Sequence, residues 1–340
     1  MFKGKRILVT GGTGSFGHQI VKKLLELMPE EIRILSRDEK KQDDMRHKYS
    51  DKKELRFIIG DVRDKQSLRK AVRNVDIIFH AAALKQVPSS ENNPLEAVKT
   101  NILGAQNVVD CAIEENVERV IDISTDKAVE PVNVMGMSKA IQERIITAAN
   151  QYRDGKRTVF ASVRYGNVLG SRGSVAPLFR NLISEGKPLT LTHIDMTRFI
   201  ITLPQAIELV FTATKEAVGG EIFVLKMPAH TVKELAEIMV NELNPKNKEI
   251  KFVGIRAGEK IHETLVSPVE SMRTVEKEGH YIILPQIKIK EVEEKYGEVM
   301  NSKLFRYSSD NAERLGKKQL KDILKREGWL EKSIPSAYDI

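Results

Sequence analysis

Residues 6–25 read RILVTGGTGSFGHQIVKKLL. Arg6–Thr10 is a short apolar run with the make-up of a buried strand. Glycines follow at 11, 14 and 17, and from Ser15 onward apolar side chains recur at helical spacing. Strand, glycine turn and helix in that order suit a pyrophosphate. The turn needs a residue free of Cβ clashes, the diphosphate must approach the backbone, and the helix start offers N–H groups and a favourable dipole. Thr10, Gly11, Thr13, Gly14, Ser15, Phe16 and Gly17 are therefore the first candidate dinucleotide contacts.

Outward from this stretch the pattern repeats. EIRILS, LRFIIGD, VDIIFHAAA, VERVIDIST and TVFASVRYG read as the second to sixth strands. SLRKAV and TNILGAQNVVDCAIEE between them carry helical periodicity. The alternation predicts an α/β fold, a Rossmann-like doubly wound parallel sheet. The later half is broken by Pro177, Gly186, Pro188, Pro204, Gly219, Gly220 and Pro228, with TVKELAEIMVNEL as a helix and EIKFVGI as a strand. This predicts a smaller mixed C-terminal substrate domain, interleaved with the last sheet strands. The expected division gives residues 1–170, with about 195–222, to the dinucleotide and 171–194 and 223–340 to the substrate. In the tail, AERLGKKQLKDILKREG reads as a helix docked through Leu315, Leu320 and Leu324.

The second strand ends Leu35-Ser36-Arg37-Asp38. Folds that prefer NAD usually place an acid there for the ribose 2′-hydroxyl. Ser36 and Arg37, with Lys40 or Lys41, suit a 2′-phosphate instead, so NADP is expected ahead of NAD, with Asp38 as the feature that favours NAD. Asp61 and Val62 after the third strand fall by the adenine edge. Ala81, Ala82 and Ala83 after the fourth are small enough for a cofactor to lie against the sheet.

Composition narrows the function classes. The chain has 340 residues, a formal net charge of +8, one cysteine and seven histidines. A single Cys111 rules out an internal disulfide, and the histidines show no zinc-type spacing, so no metal is expected. Basic residues are interleaved with glutamates, the mark of a solvated surface, so no nucleic-acid partner is expected. No apolar run is long enough for a membrane span, and MFKGKRILVTGG lacks a signal-peptide layout, so a cytoplasmic protein is expected.

GGTGSFG, HAAALKQVP, TNILGAQNVV, STDKAVEPVNVMGMSK, RYGNVLGSRGSVAPLF, DMTRFIITL and RAGEKIHETL together resemble the extended short-chain dehydrogenase/reductases that act on nucleotide sugars. The nearest resemblance is to the inverting UDP-N-acetylglucosamine 4,6-dehydratases of capsular and O-antigen polysaccharide biosynthesis. Most of the wider superfamily carries Tyr-x-x-x-Lys. This chain has Met135 and Lys139 at those places, and is similar in that to the capsular subgroup.

The resemblance implies a reaction in which C4 is oxidised, the C5 proton is removed, the 6-hydroxyl leaves and the hydride returns to C6. It implies Asp126 as the acid at the 6-hydroxyl and Lys127 as the C5 base. Burial would have to raise the first pKa, and burial or a neighbouring cation would have to lower the second. Adjacent strand residues point to opposite faces, so both face the sugar only if the strand has already turned into a loop. Lys139 would hold the nicotinamide ribose, Ser124 would bond the 4-hydroxyl, and Met135 would pack on sugar or nicotinamide. The acceptor of the 4-hydroxyl proton stays open among Lys127, Asp126, Lys85 and water.

For a UDP-sugar, Arg172, Arg198 and Arg256 suit the diphosphate, each in a motif that matches the family. Asn167 is an amide contact to diphosphate or sugar, and it joins the cofactor set with Thr100 and Tyr165. Val175, Pro177 and Phe179 would wall the uracil, Thr190 belongs to the same pocket, and Glu259 would hold ribose hydroxyls or orient Arg256. Lys85 and Pro88 would meet the sugar, with Lys85 also near the cofactor. Tyr165 is expected to act through its backbone rather than as a base. The resemblance further implies a homo-oligomer, hexamer or dimer. Two other readings compete. A UDP-sugar 4-epimerase needs a C4 base but neither Asp126 nor Lys127, and a non-catalytic NADP sensor has no use for a full sugar-nucleotide pocket.

Overall fold

The computed structural model describes residues 1–153, 155–244, 249–299, 301 and 303–331. β1 (Arg6–Thr10), β2 (Glu31–Ser36), β3 (Leu55–Ile59), β4 (Ile77–His80), β5 (Arg119–Ile123) and β6 (Val159–Arg164) lie parallel in the order β3-β2-β1-β4-β5-β6. The order reverses between β1 and β4, and that is where an open α/β sheet leaves a crevice at its carboxyl ends. Strands buried on both faces read as continuous apolar runs, as β4 does. Their alternation feeds two cores. Ile7, Val9, Phe79 and Ile121 pack on one face, and Leu8, Ile78, Val120 and Phe160 on the other.

The sheet continues beyond β6. The strand Ile222–Leu225 adds in parallel, and His280–Ile283 and Thr274–Lys277 then add antiparallel. Residues 274–283, expected with the second domain, thus extend the large sheet. Residues 280–283 cover the edge of Ile222–Leu225 by backbone pairing, which the sequence pattern alone does not assign to one sheet or another.

A separate apolar cluster gathers the helix Val175–Ser184, the strand Leu189–Leu191, the helix Val232–Leu243 and the helix Lys317–Arg326. Trp329 seals it from below. Its ring lies against Gly170 so closely that a side chain at Gly170, whose φ is 72°, would overlap it. Arg180 donates to the Trp329 carbonyl at 3.3 Å. The tail helix starts later than its periodicity predicts. Leu315 lies ahead of the helix, where its N–H donates to the Ala229 carbonyl, and it is buried in this cluster with Leu320 and Leu324, as expected. EIKFVGI is a strand only over Ile250–Phe252, and TNILGAQNVV opens with a wide π-helical turn over Val98–Leu103 before α-helical geometry sets in.

Candidate active site

A cleft of about 770 Å³ opens over the carboxyl ends of β1, β4, β5 and β6, large for a small-molecule site. One end is built from the glycine turn. Gly11 has φ 65°, and a Cβ there would stand 2.9 Å from the Ala81 carbonyl oxygen. Gly14 is the N-cap of α1 (Ser15–Leu25), and no side chain caps it, as suits a helix start that receives an anion. Thr13, Ser15 and Phe16 also line the cleft. Thr10 and Gly17 do not, and here the expectation needs correcting. Thr10 Oγ1 accepts from the Ala81 and Ala82 N–H groups at 3.2 Å and bonds His80 Nδ1 at 2.8 Å, so it braces the wall from behind. Gly17 lies against the Gly12 carbonyl, where only a hydrogen fits.

At the far end of this half, Ser36 Oγ lies 2.8 Å from Thr13 Oγ1. Asp38 caps the helix Glu39–Lys48, accepting from Lys41 N at 3.0 Å, and pairs with Lys41 Nζ at 2.9 Å. Those bonds to Lys41 hold the Asp38 carboxyl below its ordinary pKa. Arg37 sits 3.5 Å from Asp61, and both line the cleft with Lys41, Val62, Ala81, Ala82, Ala83 and Thr100. Lys40 turns away to Asp44.

The floor is where β5 ends. Asp126–Ala128 is a single 3₁₀ turn, so strand alternation stops there. Asp126 and Lys127 nevertheless do not both face the cleft. Lys127 lines it, whereas Asp126 is fully buried behind it, next to Gly166. Asp126 Oδ1 accepts from Lys127 Nζ at 3.0 Å and Thr125 Oγ1 at 2.9 Å, and Oδ2 has no partner. Lys127 Nζ also lies 3.4 Å from Glu263 Oε1. Burial works to lower the Lys127 pKa, but Asp126 and Glu263 outweigh it and the ammonium is held above its ordinary value. The lowered pKa expected for a C5 base is thus reversed in this state.

Lys139, on the helix Val134–Ala148, is buried and donates to the Ile123 carbonyl at 2.6 Å, 3.9 Å from Asp122; burial lowers its pKa. Met135 is buried and lines the cleft one turn earlier. Ser124 lines it too and donates to Glu143 Oε1 at 2.5 Å. The Tyr165 phenol is pushed up by burial, and its carbonyl accepts the Asp126 N–H at 3.2 Å.

The other half of the cleft carries Asn167, Arg172, Val175, Phe179, Thr190, Arg198, Arg256, Glu259 and Lys85. Burial first, then Arg172, lowers the Lys85 pKa. Pro177 is not in the wall. Val175 and Phe179 are one helical turn apart, and the third residue on their face is Leu178, which the sequence reading missed. Arg198 is buried and donates to the carbonyls of Thr197 at 2.7 Å, Lys260 at 2.9 Å and Ile261 at 3.0 Å, so it ties the 260–263 segment into place. Glu259 Oε2 accepts from the Arg256 backbone N–H at 3.2 Å. Asn133 donates to the Gly258 carbonyl at 2.7 Å and accepts from Gly136 N, which fastens this loop to the start of the lysine helix. Gln86, Glu263 and Glu143 were also missed. Glu263 stands inside the quoted RAGEKIHETL, but a lone acid there carries no signal of its lysine partner.

A family model described as "Polysaccharide biosynthesis protein" matches residues 7–285. An uncharacterized membrane protein of Methanocaldococcus jannaschii is 47% identical, over 97% of this chain and 98% of its own. Among the described residues of the present chain, no helix is long and apolar enough to cross a membrane. A Rickettsia canadensis protein named UDP-glucose 4-epimerase is 45% identical, over 99% of this chain and 100% of its own. The X-ray structure of Pen from Bacillus thuringiensis superposes with a TM-score of 0.91 at 38% identity, covering 97% of this chain and 99% of that one.

Proposed function

As the chain belongs to the polysaccharide biosynthesis protein family, we propose that it is a nucleotide-sugar 4,6-dehydratase that takes UDP-N-acetylglucosamine, uses NADP and inverts C5. The observation that carries this reading is Lys127, set at the end of β5 between Asp126 and Glu263 while Met135 fills the place four residues before Lys139. Exchange at C4 alone needs one proton acceptor. Elimination across C5 and C6 needs an acid and a base besides, and this cluster supplies titratable groups for both.

The dinucleotide, when bound, supplies a hydride acceptor for C4 and a donor for C6. The Gly11 turn and the start of α1 would hold its diphosphate, Ser36, Arg37 and Lys41 would hold a 2′-phosphate, and Lys139 would hold the nicotinamide ribose. Asp126 and Lys127 share one proton across their 3.0 Å hydrogen bond. In the resting ion pair it sits on Lys127. Transfer to Asp126 gives a neutral acid and a neutral amine without changing the proton count. Lys127, the member of the pair that lines the cleft, then takes the C5 proton and passes a proton to the 6-hydroxyl, which leaves as water, and Asp126 behind it restores the ammonium. A solvent proton then reaches C5 on the face opposite Lys127, which inverts that centre and leaves the resting ion pair in place. Arg172 and Arg256 face the UDP diphosphate, and Val175, Leu178 and Phe179 face the uracil.

The second reading is a UDP-sugar 4-epimerase, favoured by the name of the Rickettsia relative. Proton NMR with UDP-N-acetylglucosamine in deuterated buffer separates the two. A new C6 methyl with deuterium at C5 is the dehydratase outcome. A C4 epimer with C5 and C6 untouched would sink that reading in favour of the epimerase.

A further inference from the structure

The floor of the cleft raises a question that the tyrosine-free motif leaves open: which group takes the 4-hydroxyl proton. Lys127 is already an ammonium between two carboxylates, and Asp126 lies behind the wall. Ser124 is different. It follows β5 directly, lines the cleft, and its hydroxyl proton is already committed to Glu143 Oε1 at 2.5 Å.

Behind Ser124 stands a closed ionic cluster. Arg164 donates to Glu143 Oε1 at 3.0 Å and Oε2 at 2.6 Å, and to Glu270 at 3.0 and 3.2 Å. Glu143 and Glu270 are nearly buried and Arg164 completely so. Two carboxylates share one guanidinium, so this triad by itself carries one net negative charge, with Lys139 and Asp122 near Glu143 and Arg273 near Glu270. Glu270 is the worse acceptor. It also receives the Ser267 N–H and hydroxyl at 3.0 Å, and Arg164 with these bonds overcomes burial to hold its carboxyl at about 2. Glu143 accepts one hydrogen bond fewer than Glu270, and it is the carboxylate that touches the cleft-lining hydroxyl.

We propose that Ser124 and Glu143 together replace the missing phenol: Ser124 Oγ takes the 4-hydroxyl proton as its own proton passes to Glu143. This rests on the dehydratase reading for its substrate, but C4 oxidation is the opening step of the epimerase reading too. A nicotinamide held beside Lys139 would supply the acceptor for the hydride that carries off the C4–H electron pair, and the O–H bond electrons become the second bond of the ketone. The one proton lost by the 4-hydroxyl is balanced by the one gained by Glu143. It returns through Ser124 to solvent once the 4-keto product leaves, while Arg164 and Glu270 stay paired.

The test is single-turnover C4 oxidation in holoenzyme, read as reduction of the bound nicotinamide, for wild type, Ser124→Ala, Ser124→Thr and Glu143→Gln. Ser124→Ala leaves the Arg164 cluster whole, so it is the variant least exposed to misfolding. Expected is a loss of about a hundredfold or more in Ser124→Ala and Glu143→Gln, the size of a general-base contribution. Ser124→Thr, which keeps the hydroxyl, recovers most of the rate. In D₂O, exchange at C5 of supplied 4-keto product should fall far less than oxidation does in the same variants. Equal losses in both steps, or oxidation unchanged in Ser124→Ala, would overturn the relay. A wild type that only epimerises C4 removes the dehydratase reading, and the relay is then judged on the oxidation rate alone.

Discussion

Lys127 Nζ lies 3.0 Å from the carboxylate of Asp126, its neighbour in sequence, although only the lysine reaches the cleft. The turn that begins at Asp126 makes this possible, because it folds the two side chains toward each other rather than to opposite sides of a strand. Replacing Lys127 by Met, or Asp126 by Asn, is expected to lower dehydration by at least about a hundredfold. Binding of UDP, measured by calorimetry, should change little, since neither group lies in the half of the cleft proposed for the diphosphate. Wild-type turnover in Lys127→Met would remove this pair from the chemistry.

Gly136 explains how the lysine helix comes so near. A Cβ at Gly136 would overlap the Lys127 carbonyl oxygen. An alanine inside a helix ordinarily stabilises by roughly 0.5–1 kcal/mol relative to glycine. Here Gly136→Ala should do the reverse, lowering the melting temperature and cutting kcat by pushing the Asp126–Ala128 turn off the helix. A stabilised, fully active Gly136→Ala protein would show that the approach is not needed.

The 2′-phosphate reading is tested at Arg37. Its guanidinium is half exposed beside Asp61, and a charge-assisted bond to phosphate is worth about 1.5–3 kcal/mol. Arg37→Ala should raise the dissociation constant for NADP by roughly tenfold or more and leave that for NAD within a factor of about two. Titration of apoprotein with each dinucleotide reads both. Equal losses would mean that Arg37 does not discriminate.

Three buried histidines set the acid limit. Burial above all lowers His18 and His230 to about 4 and His80 to about 3 from an ordinary 6.5. An unfolded chain takes these protons near 6.5 and the folded one only near 3 to 4. The stability tied to their neutral forms is therefore complete above 6.5 and is lost as pH falls toward 4. Near pH 5, unfolding should take up close to three protons from this source. That corresponds to a slope on the order of 4 kcal/mol per pH unit. Calorimetric melting across pH 7 to 4 reads it, and a flat profile would mean the three are protonated in the fold.

The parts of the fold that the sequence displays are those with a local period. β1 to β6 and α1 each bury a face at regular spacing, so RILVTGGTGSFG and its successors read correctly. The site is less legible because its partnerships are long-range. Glu263 meets Lys127, and Arg164 joins Glu143 to Glu270, across stretches of chain with no shared pattern. A buried ion pair leaves no periodic trace. Helix phase accounts for the exchange of Pro177 for Leu178 in the wall, and turn geometry for the withdrawal of Asp126. Thr10 and Gly17 belong to the motif without belonging to the surface, since they serve the backbone that the ligand would touch.

The seat of Trp329 against Gly170 sets an order of assembly during synthesis. The parallel sheet, β1 to β6, has both faces covered once the helix Leu203–Glu216 and the strand Ile222–Leu225 have followed it, and domains tend to fold in the order they emerge. The apolar cluster beneath the other half of the cleft stays open until Leu320, Leu324 and Trp329 arrive to close it. A nascent chain thus has the means to take up a dinucleotide before it has a finished place for a sugar nucleotide, so cofactor loading would precede the first encounter with substrate.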